Sequence, residues 1–561
     1  MLSPRPLNLA QAERFKQALN FLRSGQQAQA LSIAERLVEE MPQAADALQL
    51  LGMCLAESGR PDQSDAAFEQ ALALLPGNAL ICRNYGVCLA RRGRLLRENG
   101  EFDAAEAVLR RALGLSSDQA SAWMDLGAVL RFQGRVEDAL SALRSAEGIL
   151  ELRGGSTREV RDAITGVLAD AGRSEEALAH ARRLAAGHPD YVPAHETLSH
   201  LLWEHGEEHA PGEDPMEAFR AAAQTQPGNR DLQLSLVRML LGAKRAEEAL
   251  VVLHPLRKRE PGNALLDWFA ADALDALQEH DQATSLYDAA SHGALAQLPD
   301  FQNARARHAF RTQRFELAAR CAENAVRLDP SSQEGWCHLG TAWRLAGDAR
   351  EYWLCDYEAL VGYVEVSPPQ GYGDASEFLT ALKATLDPMH AAKREPVNQS
   401  VRGGTQTAGQ LFGRDDGVIL ETEVALRAAV EKWLATLAAD GTHPFLSRAR
   451  RSVHFVGSWS VRLKAAGRHS NHLHPKGWAS SAFYVALPDG AHELDAASRA
   501  GWLQFGQPLE DLGLDLSPRR LICPKPGYLA LFPSYMWHGT VPFEGGRSRL
   551  TVAFDMQPKI E

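Results

Sequence analysis

The chain has 561 residues, 45% apolar and 23% charged, with a formal net charge of −12. These are globular values with room for more than one core, and an acidic chain without an extended block of Lys or Arg is a poor partner for a phosphate backbone or an anionic lipid surface, so neither a nucleic-acid nor a membrane partner is expected. The start, "MLSPRPLNLAQAERFKQALNF", lacks the basic-then-apolar pattern of a secretory leader, and no run approaches the length of a membrane span, so a cytoplasmic location is expected.

From residue 9 the chain repeats itself. Gly25 and Gly59, Gly52 and Gly86, Pro42 and Pro76, Gly100 and Gly134, Gly172 and Gly206, and Pro227 and Pro261 each stand 34 residues apart. Within a unit, one amphipathic stretch ends near a Gly and a second carries Ala-Leu or Ala-Phe at helical spacing, which predicts a helical hairpin per repeat. The units resemble the tetratricopeptide repeat: Trp123, Leu126 and Gly127 in "WMDLG", Trp336, Leu339 and Gly340 in "WCHLG", and Ala67, Phe68, Ala71 and Pro76 fall at that family's positions. The resemblance implies an all-α solenoid over residues 1–350 of about nine or ten hairpins, with a concave face suited to an extended peptide or, equally, to a second copy.

Local departures carry their own expectations. "RRGRLLRENG" lengthens one helix by about two turns, and "EEHAPGED" swells a loop. The seven cysteines form no CxxC pair, and Cys54 and Cys88, one period apart, read as small apolar groups in equivalent helices. His195, His200, His205 and His209 lie close together but miss the i, i+4 spacing of a helical metal pair, and read as a solvated helix face.

The period stops near residue 350. Residues 351–395 read as a helical linker containing "ASEFLTALKATLDPMH", and "NQSVRGGTQTAGQLF" as a polar loop rather than a phosphate cradle. The last domain, 396–561, breaks into short alternating segments, "VHFVGSWSVRLKAAG", "ASSAFYVALPDG", "GYLALFPSYMWHG" and "RLTVAFDMQP", which predict an all-β sandwich or barrel.

In this domain "RHSNHLHPKGW" places His472 and His474 two apart, on one face if the segment is extended, with His469 out of phase. His538, closing an apolar strand, is the natural third metal ligand. In "RLTVAFD" Arg549, Thr551, Ala553 and Asp555 share a face opposite Leu550, Val552 and Phe554. A desolvated Arg549 needs an anion, either Asp555 or a bound carboxylate.

The set of HxH, a later His within "LFPSYMWHGT", then Arg549 and Thr551, resembles the 2-oxoglutarate- and Fe(II)-dependent oxygenases of a bacterial branch. The resemblance covers residues 395 to 561 and implies a double-stranded β-helix (jelly-roll) that binds Fe(II) through His472, His474 and His538. Arg549, Thr551 and Tyr484 would hold the far carboxylate of 2-oxoglutarate, and with O2 the product would be a hydroxylated C–H bond. Trp459, Phe483, Trp502, Phe532 and Trp537 would shield the oxidant, and the repeats would recruit a protein or peptide substrate. One departure stands out: where the family places a carboxylate ligand this chain has His474, leaving the site one charge more positive. Three histidines with an open position also match catalytic zinc, so a Zn-type hydrolase or lyase remains an alternative, as does a non-enzymatic repeat scaffold with a vestigial barrel.

Overall fold

The computed structural model describes residues 6–397, 399–449, 452–487, 499–543 and 548–559. It divides into two compact units, residues 1–167 and 168–561.

In the first unit, helices Leu9–Arg23 and Gln27–Glu40, Ala45–Glu57 and Pro61–Leu74, Ala79–Glu98 and Phe102–Leu115, and Ala120–Phe132 and Val136–Leu152 form four successive hairpins. Asn8 caps the first by accepting from Gln11 N, and Asn78 caps the fifth by accepting from Leu80 N and Ile81 N. The recurring glycines have two separate duties. Gly25, Gly59, Gly100 and Gly134 turn the chain between paired helices with φ of 69° to 78°. Gly52 instead lets helices touch, since a Cβ there would lie 2.6 Å from the Phe68 ring. The expected extension is present: Ala79–Glu98 has 20 residues where Ala120–Phe132 has 13, a difference of two turns. Cys54 is buried and Cys88 half-buried in equivalent helices.

The second unit continues the hairpins, from Val192–His209 with Glu217–Thr225 to Gln333–Leu345 with Arg350–Leu354. "EEH" extends the helix Val192–His209, and only the residues after it form the loop. The four histidines of that helix are not a solvated face. His195 and His205 are buried, and His195 Nε2 donates to Pro189 O (3.1 Å) while the ring stacks on Phe219, because this is the helix whose face packs inside the repeat. Among the described residues no helix is long and apolar enough to cross a membrane.

The remainder is a jelly-roll of antiparallel strands: β1 Gly362–Glu365, β2 Val401–Gln406, β3 Val453–His469, β4 Ala479–Ala486, β5 Leu503–Phe505, β6 Arg520–Ile522, β7 Tyr528–Pro533, β8 His538–Thr540 and β9 Arg549–Pro558. A six-stranded sheet runs β1-β7-β4-β9-β3-β2 and a three-stranded one β6-β5-β8. The Gly-rich segment expected to be a loop is thus in part edge strand β2. Gly404 lies where a Cβ would come within 2.7 Å of Arg462 O, so the glycines serve close strand approach. One face of the larger sheet buries Phe483, Val552 and Phe554 in a core shared with helices Ala375–Leu386 and Gly417–Leu434. The opposite face carries the polar residues of β9 and β4.

The last repeat is bonded directly to this barrel. Arg344 donates to Gly506 O (2.6 Å) and Ser517 O (2.7 Å), and buried Glu351 pairs with Arg519 (2.6 Å). Trp537 Nε1 donates to Thr341 Oγ1 (2.9 Å), and Tyr535 OH to Leu354 O (2.7 Å).

Candidate metal centre

Two backbone hydrogen bonds build the centre. His472 N donates to His538 O (2.9 Å) and His538 N to His472 O (3.0 Å), a bridge that lays the HxH segment beside β8. His474 N then donates to Ser534 O (3.0 Å), bringing the third ring round to the other two. Ring centroids are 4.1 Å apart for His472–His538 and 5.0 Å for each of the other pairs. One nitrogen from each ring lies within 4.8 Å of the others, as a shared ion requires.

The opposite nitrogens face outward onto acceptors. His472 Nδ1 meets Ser470 O at 2.8 Å, His538 Nδ1 meets Met536 O at 2.9 Å, and His474 Nδ1 meets Asp555 Oδ1 at 2.6 Å. An Nδ1–H fixed on an oxygen leaves Nε2 as a lone pair, the tautomer a metal needs. Burial and the neighbouring rings hold His472 and His538 well below the ordinary histidine range, so both stay neutral. Phe532 packs 4.5 Å from the His538 ring and Trp459 5.8 Å from that of His474.

Two expectations about shielding change. Phe483 lies on the far side of the larger sheet, in the helix-packed core, because it alternates with Tyr484 along β4. The Trp537 indole is engaged with Thr341 of the last repeat.

The other end of the site is cationic. Tyr484 and Thr551 are cross-strand partners, and Arg549 lies two residues from Thr551 on the same face. Arg549 is buried, with its Cζ 5.0 Å from the Tyr484 ring centre. Its Nη1 donates to Gly501 O (2.8 Å) and reaches Thr540 Oγ1 (3.5 Å), while its Nε and the Tyr484 hydroxyl are buried without a hydrogen-bond partner. Burial lowers the Arg549 pKa and raises that of Tyr484. No carboxylate among the described residues pairs with Arg549. Asp555 is engaged elsewhere, accepting from Ser480 Oγ (2.7 Å) as well as meeting His474. Two unsatisfied buried donors on one face fit the carboxylate of a bound oxo-acid.

Residues that parity did not single out also reach the centre. His469, out of phase in the sequence, ends β3 with its ring stacked 5.7 Å from that of His472. Ser400 Oγ bridges His469 Nδ1 (3.0 Å) and His472 Nε2 (3.2 Å). The left-handed Ala466 (φ 60°) precedes His469, and such a kink has no signal in the residue type. A second cluster, Asp275, His280 and His308, has metal-like spacing, but Arg311 already pairs with Asp275 and His308 Nε2 meets Thr284 Oγ1 at 2.8 Å. It is an ion-pair node that Arg311 extends to Asp511 (2.9 Å).

Residues 457–555 match the family described as "Putative 2OG-Fe(II) oxygenase", and tetratricopeptide repeats match at 15–79, 55–97, 90–151 and 303–351. The chain carries an oxygenase-family domain at its C-terminus and tetratricopeptide repeats in its N-terminal region. Solved structures similar to it include MamA AMB-1 (22% identity, 32% of this chain and 91% of that one, TM-score 0.25) and PilF of Pseudomonas aeruginosa (19%, 40% and 97%, 0.28). Another is a thermophilic TPR protein of Thermus thermophilus (20%, 34% and 99%, 0.23). At these scores they carry no argument. No curated protein matches the chain.

Proposed function

We propose that this protein is a 2-oxoglutarate- and Fe(II)-dependent oxygenase that hydroxylates a protein or peptide recruited by its repeats. The observation that carries the reading is Arg549, a buried cation with no acidic partner among the described residues, which reaches Thr540 Oγ1 on the strand that begins at His538.

In this reading His472, His474 and His538 hold the metal through Nε2, with Ser470 O, Asp555 and Met536 O fixing each ring. Arg549 and Tyr484 receive the distal carboxylate of 2-oxoglutarate, and Thr551 lies beside them on β9. When bound, Fe(II) and 2-oxoglutarate supply oxygen activation coupled to oxidative decarboxylation, which delivers one oxygen atom to a substrate C–H bond and the other to succinate. Phe532 and Trp459 keep water from the reacting side of the histidines. The substrate class is inferred from the hydrogen bond between Thr341, on repeat helix Gln333–Leu345, and Trp537, the neighbour of His538. That bond fixes the last repeat beside the strand that carries His538.

Anaerobic addition of Fe(II) and then 2-oxoglutarate tests this. A weak visible charge-transfer band is expected, lost in Arg549→Ala while iron binding persists. Zinc retention with no band in the wild type would overturn the oxygenase reading in favour of a hydrolytic one.

A further inference from the structure

Asp555 stands out among the groups around the centre because the one side chain able to offset its charge is the candidate ligand His474. It is 8% exposed, and no Lys or Arg among the described residues pairs with it. Its contacts are His474 Nδ1 (2.6 Å) and Ser480 Oγ (2.7 Å), the latter linked to Ser534 Oγ (2.7 Å). With His474 neutral, as metal ligation requires, this buried carboxylate has no cation in direct contact, which is costly unless one lies close by. The cation that the neighbouring ligand set provides for is a metal, one imidazole away.

The fold makes room for this arrangement. Asp555 lies opposite Ser480 on β4 and opposite Gly457 at the irregularity of β3. Gly477, three residues beyond His474, passes so close that a Cβ would lie 3.2 Å from Asp555 Cγ and collide with the Ser534 hydroxyl. The glycine allows the HxH segment to close onto β9.

We propose that Asp555 supplies, through the His474 imidazole, the negative charge that a carboxylate ligand would otherwise bring to the metal, and so sets both metal affinity and the pull of the site on anions. This rests on the three histidines holding a metal. Three neutral imidazoles leave a divalent ion with its full double charge, and a carboxylate hydrogen-bonded to one of them makes that ring a stronger donor. Asp555 is a positioning residue: it acts through His474 and touches neither metal nor substrate.

The test uses the full chain, Co(II) as the probe metal, and azide as the probe anion. The wild type is expected to bind one Co(II) with a visible d–d spectrum, and His538→Ala to lose it. If the wild type does not bind, or His538→Ala binds equally well, the metal-centre reading fails and this proposal falls with it. In Asp555→Asn, which keeps an acceptor for Nδ1–H but removes the charge, Co(II) affinity should fall by about 10- to 100-fold. Azide affinity of the cobalt form should rise. Opposite movements of the two affinities are not produced by a loosened fold. Co(II) affinity within twofold of wild type, or a joint fall of both affinities, overturns the proposal. Should the Asn variant not fold by circular dichroism, Asp555→Glu, which keeps the charge, should retain the spectrum and bind Co(II) far better than His538→Ala; equal loss in the two overturns it.

Discussion

The hydroxyl of Tyr484 is buried beside the Arg549 guanidinium and finds no acceptor for its proton, a cost a folded chain carries when a ligand is to cover it. Tyr484→Phe should therefore leave stability unchanged or slightly improved and weaken 2-oxoglutarate binding by about 10- to 100-fold, the worth of a hydrogen bond to a charged group. Titration of the metal-loaded protein checks this, and an unchanged Kd would remove Tyr484 from the carboxylate site. On the helix Val192–His209, burial pushes Glu204 up to about 7, against about 4.3 when unfolded. Between those values the folded chain keeps a proton that the unfolded chain has lost, so its stabilising contribution is present below pH 4 and lost as pH rises through 7. Glu204→Gln should melt with the wild type at pH 4 and above it at pH 8. At this scale the sequence singled out His472, His474, His538 and Arg549 as candidates from their spacing and, for Arg549, from strand alternation. The partnership of Asp555 with His474 was not, since those residues lie 81 apart in the chain.

Among the elements, the HxH segment is held by a single bridge to His538 and then turns, rather than forming a full strand, and Gly477 is what permits the turn to approach β9. Gly477→Ala should abolish high-affinity Co(II) binding while the repeat helices keep their circular dichroism; retention of the cobalt spectrum would show that the closure tolerates a side chain. The repeat signal weakens in the middle of the chain for a similarly local reason. Lys244, Gln278 and Gln313 occupy the left-handed turn between paired helices (φ 60°, 65° and 57°) that Gly fills elsewhere. Non-glycine residues there cost about 1–2 kcal/mol each, so the hairpins persist through their helix packing while the glycine marker disappears. Strand β2 was hidden by the opposite effect: its glycines read as loop, yet they are needed where β2 crosses β3 closely.

For the whole molecule, the bonds of Thr341, Arg344, Glu351 and Leu354 to Trp537, Gly506, Arg519 and Tyr535 make the last repeat part of the barrel. Removing residues 1–350 would strip Thr341 and Arg344 from their partners and leave the chain insoluble or unable to bind metal. Removal of residues 1–155, which keeps helix Arg158–Asp170 intact, should leave a folded protein with wild-type Co(II) affinity. Size-exclusion chromatography with metal titration distinguishes these outcomes, and equal behaviour of the two truncations would count against the division at Val167 and Leu168. The sequence by itself determined the repeat hairpins, the β-domain and which histidines are candidates for a metal site, because helical and strand periodicities and the 34-residue step are local properties of the chain. Only the tertiary structure decided that the last repeat is welded to the barrel, that Arg549 has no acidic partner among the described residues and that Asp555 stands behind His474. These are contacts between segments far apart in sequence, and their existence depends on how the sheets close rather than on any residue's immediate neighbours.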